Sequence, residues 1–337
     1  MSDTAGGALG YPGALAQFSP ADPDALRIVA EAAGYAEDAF QDWTFPWHPL
    51  PGQPGWSPAW YILGAATART SRLALSTLVT SVNFRRPAVL AKSFATVDHL
   101  SNGRVLLGLG SGSAERLEAA VEGEWPEKRE RFERLEESVT LIRELWSGET
   151  VSFDGEHYTT HDAYGYPMPA QGPVPVLVTG GAPVAKVAGR AGDGYLCVSG
   201  KGPTDREWKL LPAVREGAAA AGRDADEIKR TIEIKLSFDD DVAAALREER
   251  VWAGLALTAA QKHSVWDPVA APDDADELIR ELVAKLVIVG SPEEVAAELV
   301  KWGEAWGLDY ALFHLPGGDQ DRLLELFGER VEALGRA

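Results

Sequence analysis

A regular alternation of short apolar runs with longer amphipathic stretches constrains the fold of this chain more than any other feature. Residues 105–109 form an apolar run without polar alternation, which is typical of a strand buried on both faces. Residues 127–146 then predict a long, charged helix. Seven or eight such strand-then-helix units follow one another without a linker or a change in composition. This order predicts a single (β/α)8 TIM barrel with insertions over residues 1–337, with a doubly wound sheet as the alternative.

The same pattern predicts the positions of the strands and helices. The predicted strands are residues 9–18, 36–41, 73–80, 104–109, 174–181, 194–198, 231–238, 286–289 and 309–313. The predicted helices are residues 20–33, 59–68, 87–100, 127–146, 182–190, 205–221, 292–306 and 319–334. Residues 151–158 alternate about Asp154 and Gly155 and predict a small hairpin. Residues 239–284 predict an irregular helical insertion into the barrel.

The amino-acid composition limits the classes of partner and of site that this chain can have. The formal net charge of -19 and the pI near 4.8 disfavour nucleic acid and anionic membranes. The single cysteine, Cys197, excludes an internal disulfide framework and a cysteine-rich metal site. No apolar run approaches the roughly 20 residues that span a bilayer, and the first residues lack a basic leader. We therefore expect a cytoplasmic protein.

In a barrel of this kind, function belongs to the loops that follow the strands. That rule selects residues 42–60, 79–86, 110–114, 179–182, 199–202 and 314–318. The glycines at 108, 110 and 112 do not meet the dinucleotide pattern G-x-G-x-x-G, so this loop alone is a weak signal. His157 and His161 have a spacing that would suit a metal on a helix, but they fall in the predicted hairpin and its exit loop. The sequence therefore predicts no metal site.

Strings from most of the chain resemble one known family. Three of them are FATVDHLSNGRVLLGLGSG, ERFERLEESVTLIRELWSGETVSFDGEHY and VPVLVTGGAPVAKVAGRAGDGYLCVSGKG. In order and spacing they are similar to the luciferase-like barrel family, whose members bind a flavin or a deazaflavin. EGEWPEKRERFERL, LPAVREGAAAA, LTAAQKHS and FHLPGGDQDRLLELF further resemble the F420-dependent glucose-6-phosphate dehydrogenase type. The resemblance implies coenzyme F420 as cofactor, with FMN as the alternative, and a homodimer.

The resemblance also implies a cofactor site at the strand ends. Asp42 matches an acid near the deazaflavin ring, and the bond between Leu78 and Val79 matches a non-proline cis peptide behind that ring. Gly180 and Gly181 match glycines whose amides approach the cofactor's phosphate, which suits the small residues of these loops. The full set of matching cofactor positions is Asp42, Leu78, Val79, Ser113, Gly180, Gly181, Val198, Ser199 and Gly200.

Some of the positions that match catalytic and substrate-binding residues depart from the pattern, whereas Asp42, Trp47, Lys201 and Lys262 retain it. The matching catalytic positions are Asp42, Trp43, Trp47 and Ser113, and the matching substrate positions are Trp47, His48, Lys201, Lys262 and His263. Trp43 stands where the resembled type has a histidine base, and Ser113 stands where it has a glutamate proton donor. Leu286 stands where an arginine would complete a phosphate clamp with Lys201 and Lys262. Oxidation of an alcohol needs a base for the leaving proton, so these departures disfavour glucose 6-phosphate as substrate.

We therefore expect an F420-dependent oxidoreductase that passes a hydride from reduced F420 to an activated C=C or C=N bond. The substrate would be a specialised small molecule or a modified peptide, and the proton would come from water, His48, Glu115 or Glu118. The alternatives are an F420-dependent alcohol or sugar-phosphate dehydrogenase, an FMN-dependent monooxygenase and a non-catalytic cofactor-binding relative.

Overall fold

The computed structural model describes residues 8–12, 37–40, 59–112, 125–200, 210–248, 281, 283–284, 287–306, 310–314, 323–324 and 326–327. Its strands are β1 (Ala8–Pro12), β2 (Glu37–Phe40), β3 (Ala74–Thr77), β4 (Thr80–Ser81), β5 (Val105–Gly110), β6 (Thr150–Val151), β7 (Ala163–Tyr164), β8 (Val176–Thr179), β9 (Gly194–Gly200), β10 (Lys229–Phe238), β11 (Val287–Gly290) and β12 (Tyr310–His314). Its helices are α1 (Ala59–Arg69), α2 (Pro87–Ser101), α3 (Lys128–Leu145), α4 (Ala182–Ala191), α5 (Leu211–Ala220), α6 (Val242–Glu248) and α7 (Pro292–Trp306).

The parallel strands close into a ring. The order is β12-β1-β2-β3-β5-β8-β9-β10, and β10 pairs with β12 to complete the circuit. β11 extends the sheet beside the second half of β10, where Lys235 pairs with Val287. Among the described residues the ring therefore has the eight parallel strands that the sequence predicted, and the α/β barrel is confirmed.

The main hydrophobic core lies between the ring and the helices. Val105, Leu107 and Leu109 on β5 are buried in it together with Phe94 from α2. On β10 the members of this core alternate along the strand: Ile232, Ile234, Leu236 and Phe238. Because successive side chains of a strand point to opposite faces, the residues between them face the inside of the ring. No described helix combines the length and the hydropathy that a membrane crossing requires.

Two predicted elements differ from the structure. The expected strand over residues 73–80 is divided into β3 and β4, because residues 78 and 79 leave the ladder. The expected hairpin is longer, since β6 pairs with β7 and Asp154 bridges Thr159. Its turn therefore follows Asp154 and Gly155 rather than lying at them.

Several predictions fall partly or wholly outside the described residues. These are the end of the first strand, the helix over residues 20–33, the beginning of the helix over 205–221, most of the insertion over 239–284 and much of the last helix. The division of the chain into one domain likewise stays a prediction.

Candidate functional site

The carboxyl ends of four strands meet at one edge of the ring. β4 lies beside the end of β5, where Ser81 pairs with Gly110. Gly110 pairs in turn with Thr179 on β8, and Thr179 pairs with Leu196 on β9. The loops that follow these strands therefore start side by side, as the barrel rule predicts for functional loops.

A bulge interrupts the ladder between β3 and β5. Ser76 pairs with Leu106, but the next described pair joins Thr80 to Leu109, so one extra residue is inserted on the β3 side. The peptide bond between Leu78 and Val79 is cis, which confirms that feature of the sequence prediction. Leu78 packs against Leu196 of β9, with Val79 beside them. The bulge thus places an apolar surface inside the ring.

Thr77 holds the bulge to β5. Its hydroxyl donates a hydrogen bond to the carbonyl oxygen of Gly108 at 3.0 Å and accepts one from the Gly108 amide at 3.2 Å. A side chain therefore supplies both partners that the interrupted ladder cannot supply, and no backbone group of Gly108 is left unpaired on this side.

Glycine is required on β5 by close approach rather than by a turn. A Cβ on Gly108 would overlap the carbonyl oxygen of Thr77, and a Cβ on Gly110 would lie 2.9 Å from Cγ2 of Val79. We name residues 77–79 together with Gly108 and Gly110 the glycine wall. It is a tightly packed, uncharged surface next to the carboxyl-end edge.

Side chains from elsewhere fix the loop that leaves β5. Asn83 donates from Nδ2 to the carbonyl oxygen of Ser111 at 2.9 Å. Arg131 on α3 donates from Nη1 to the carbonyl oxygen of Gly112 at 2.7 Å, and its guanidinium lies 4.3 Å from the ring centroid of Trp125. Gly112 has a φ of 75°, which favours glycine at that position. The loop is therefore held in place up to the residue before Ser113.

The loop that leaves β8 presents backbone amides. Gly180 has a φ of 155°, and its carbonyl oxygen accepts a hydrogen bond from the Tyr195 hydroxyl at 2.6 Å. Gly181 is the N-cap of α4, and no side chain caps this helix end. The first turn of α4 carries no acidic residue, and a Cβ on Gly181 would meet nothing within 4 Å. Pro183 in the first turn has no N–H, and the other amides of this uncapped helix N-terminus are suited to an anion such as a phosphate.

The opposite side of the ring carries a buried ion pair that the sequence analysis did not predict. Glu233 and Lys235 on β10 are 2% and 6% exposed, and the Lys235 Nζ lies 2.9 Å from Oε1 of Glu233. Both alternate with the core residues of β10 and so face the inside of the ring. We name this pair the polar wall. The alternating string TIEIKLSF carried the signal, because it places two charges on one face of a buried strand.

The described residues include only part of the predicted site. Leu78, Val79, Gly180 and Gly181 lie at the common edge, and β9 brings the backbone of residues 198–200 (Val198, Ser199 and Gly200) to the same edge. The remaining predicted positions lie outside the described residues: Asp42, Trp43, Trp47, His48, Ser113, Lys201, Lys262 and His263. Their roles stay predictions.

The ring of eight parallel strands, with glycine-rich loops that start side by side at the strand ends, defines a (β/α)8 barrel. The sequence profile of the luciferase-like monooxygenase family matches residues 6–310. The chain belongs to this family.

Named relatives cover almost the whole chain. The F420-dependent glucose-6-phosphate dehydrogenase of Mycolicibacterium smegmatis is 48% identical over 327 residues, which is 96% of each chain. The enzyme of the same name from Mycobacterium tuberculosis is 48% identical over 322 residues, 95% of each chain.

Solved structures show the same fold. An F420-dependent secondary alcohol dehydrogenase in complex with an F420-acetone adduct superposes with a TM-score of 0.83 at 29% identity, covering 97% of this chain and 99% of that one. A coenzyme F420-dependent tetrahydromethanopterin reductase from Methanopyrus kandleri superposes with a TM-score of 0.78 at 21% identity, covering 98% of this chain and 99% of that one.

Proposed function

We propose that the protein is an F420-dependent oxidoreductase that reduces an activated C=C or C=N bond of a specialised small molecule or modified peptide. The cofactor assignment is supported by the F420-dependent relatives at 48% identity over nearly the full chain. The observation that carries the direction is Trp43, which stands where the resembled dehydrogenases have a histidine base. An indole has no basic nitrogen to accept a proton from an alcohol.

The described residues fit a cofactor with a flat ring and a phosphate. When bound, F420 supplies hydride chemistry, as donor or acceptor. Residues 77–79 with Gly108 and Gly110 provide a neutral, close-packed surface for the ring. Gly181 and the N-terminus of α4 provide amides for the phosphate, and the open space over Gly181 leaves room for it. Asp42, Ser113 and the backbone of residues 198–200 complete the proposed site.

The substrate side of the proposal depends on the residue types at the matching catalytic and substrate-binding positions. Trp43 in place of histidine favours a flat or apolar substrate. Ser113 is a poor acid at neutral pH, so the proton that completes the reduction would come from water, His48, Glu115 or Glu118. Trp47, His48 and His263 would contact the substrate with Lys201 and Lys262.

A second candidate is an F420-dependent alcohol or sugar-phosphate dehydrogenase. It is favoured by the names of the relatives and by Lys201 and Lys262, which keep two cations for a phosphate. Leu286 argues against a sugar phosphate, because no aliphatic side chain can replace the bidentate fork of an arginine.

Parallel titrations with F420 and FMN, followed by cofactor fluorescence, test the cofactor assignment. We expect tight binding of F420 alone. Tight binding of FMN alone would assign the protein to the monooxygenases, and binding of neither would refute the cofactor site.

The direction is tested by two activity assays on the same preparation. Glucose 6-phosphate should not reduce F420, whereas reduced F420 should be oxidised by at least one class of activated alkene or imine. F420 binding without turnover in either assay would identify a non-catalytic relative. The triple variant Trp43→His, Ser113→Glu, Leu286→Arg should gain glucose-6-phosphate oxidation. Appreciable oxidation of that substrate by the unmodified protein would contradict our proposal and support the second candidate.

We also propose that the protein is a cytoplasmic homodimer, on the basis of the family resemblance. Light scattering coupled to size exclusion would test the dimer, for which a monomer is the contradicting outcome.

A further inference from the structure

Outside the ring of strands, the β6–β7 hairpin is docked on α3 by one carboxylate. Glu137 accepts hydrogen bonds from three consecutive backbone amides of the hairpin turn, those of Glu156 at 2.8 Å, His157 at 3.0 Å and Tyr158 at 3.1 Å. Gly155 lies so close that a Cβ there would overlap the Glu137 carboxylate. The turn is therefore held in a fixed position over the first half of α3.

This docking gathers three side chains that can ligate a metal. Glu133 lies one helical turn before Glu137, and its carboxylate is close to the side chains of Glu156 and His157. One ligand atom of each of the three lies within 4.8 Å of the others. None of these residues belongs to the proposed cofactor or substrate site.

His157 has a buried nitrogen aimed into the cluster. Its side chain is 11% exposed, and Nε2 lies 3.5 Å from Oε2 of Glu133. This nitrogen is shielded from solvent and makes no hydrogen bond of good geometry, and the acceptor near it is the Glu133 carboxylate. A buried polar atom without a partner is destabilising, and a bound ion would satisfy this nitrogen.

Glu133 is prepared to act as a ligand. Arg129 donates a hydrogen bond to its Oε1 at 2.7 Å, which fixes the position of the carboxylate. Arg129 occupies Oε1, so Oε2, the oxygen nearer His157, is available to an ion.

We propose that Glu133, Glu156 and His157 form a binding site for a divalent ion of the Zn²⁺ type. Ligand atoms about 2.1 Å from a tetrahedral ion lie about 3.4 Å apart. The separation of 3.5 Å between His157 and Glu133 matches that distance, and the exposed Glu156 side chain can rotate to complete the set. One imidazole with two carboxylates selects Zn²⁺ over Mg²⁺ and Ca²⁺, which take oxygen ligands. Water would fill the fourth position.

The structure gives His157 a different neighbour from the one that its spacing suggested. The prediction of no metal site from the sequence considered His157 together with His161. In the structure His161 is exposed, and the potential ligand next to His157 is Glu133 of α3, 24 residues earlier in the chain. His161 is therefore a matched control, because it is a histidine on the same hairpin that is not part of the cluster.

The test is Zn²⁺ binding to the chelator-treated full chain, measured by competition with a chromophoric chelator. The unmodified protein and His161→Ala should each bind one equivalent with the same affinity. His157→Gln and Glu133→Gln should each weaken binding by more than about tenfold, at least the loss typical of residues that only support a ligand. Co²⁺ as a probe should give visible absorption bands that the His157→Gln variant lacks.

Melting curves without metal show whether each variant folds. If His157→Gln does not fold, the Zn²⁺ affinity of Glu133→Gln still tests the site. Absence of binding to the unmodified protein would overturn the proposal. Binding that survives both substitutions, or that is lost in His161→Ala, would also overturn it. Because no readout depends on F420 or on turnover, the result is independent of the proposed function.

Discussion

The glycine wall and the polar wall face the same interior but are built in opposite ways. The glycine wall carries no charge and leaves no room for an added side-chain atom, since Gly108 and Gly110 lie against residues 77–79. The polar wall has two charges, Glu233 and Lys235, each almost fully buried on one strand. The first depends on the absence of side chains, and the second depends on a pair of side chains that neutralise each other.

This difference indicates that the two surfaces inside the ring have different roles. A neutral, close-packed surface suits the face of a flat apolar ring, whereas buried charges are expensive and persist only when they are paired. The two walls should therefore respond differently to substitution. The glycine wall should be sensitive to added atoms, and the polar wall should be sensitive to the loss of one charge.

The largest effect is expected for Gly108→Ala. Its Cβ would overlap the Thr77 carbonyl oxygen, a backbone atom that cannot rotate away. We expect the free energy of unfolding to fall by about 3 kcal/mol or more, measured by chemical denaturation. Gly64→Ala is the control, because a Cβ at Gly64 in α1 meets nothing within 4 Å and alanine should stabilise the helix by about 0.5–1 kcal/mol. Equal behaviour of the two variants would refute the close packing of the glycine wall.

Removing one charge of the polar wall should have a similarly large effect. Lys235→Met leaves Glu233 buried without the Lys235 ammonium, and loss of one partner of a buried pair lowers the free energy of unfolding by about 3–5 kcal/mol. The double variant Glu233→Leu, Lys235→Met should be more stable than Lys235→Met alone, because neither charge of the pair remains buried. If the double variant were the less stable of the two, the charge-pairing account of this wall would fail.

Thr77→Val should have an intermediate effect. The valine methyl group cannot bond the amide and the carbonyl of Gly108, so two buried backbone groups lose their partners. We expect a loss of about 1–3 kcal/mol in the free energy of unfolding, together with weaker F420 binding. Thr77→Ser retains the hydroxyl and should recover most of both quantities. A valine variant as stable as the unmodified protein would show that the hydroxyl does not anchor the bulge.

Gly181→Ala should change the free energy of unfolding least of these variants, and it tests the proposed phosphate site at the N-terminus of α4 directly. Gly181 has a φ of -70°, which alanine adopts readily, and its Cβ would meet no protein atom within 4 Å. Melting curves should therefore be unchanged. The dissociation constant of F420 should rise by about tenfold, a loss of about 1.4 kcal/mol, because the added methyl group points into the proposed phosphate site. Unchanged affinity would remove Gly181 from the site.

Much of the barrel was predictable because the strands buried on both faces are short apolar runs with helices between them. β2, β5, β8 and α7 lie where the pattern placed them. The break between β3 and β4 was not predictable from LALSTLVT, which reads as one continuous strand. It depends on the contact of Thr77 with Gly108, a residue 31 positions away.

The site was predictable where a local signal or a family resemblance existed. The cis bond at Leu78 and the glycines of the β8 loop belong to this group. The polar wall was missed because the period of two in β10 predicts a strand equally well whichever residues alternate. Only closure of the ring shows that both faces are buried. The hairpin turn was displaced because Glu137, on another element, binds its amides.

The pairing of β1 with β12 also determines when the barrel can finish folding. Ala8 is beside Tyr310, so β1 cannot complete its pairing until a strand about three hundred residues later in the chain has been made. Until then β1 and β10 each have an unpaired edge, and unpaired edges are where chains pair wrongly with one another. Such distant contacts are also slow to form, because the entropy of loop closure is lost before the contact is gained. Nascent chains that stop before residue 310 should therefore depend on chaperones far more than the completed protein does.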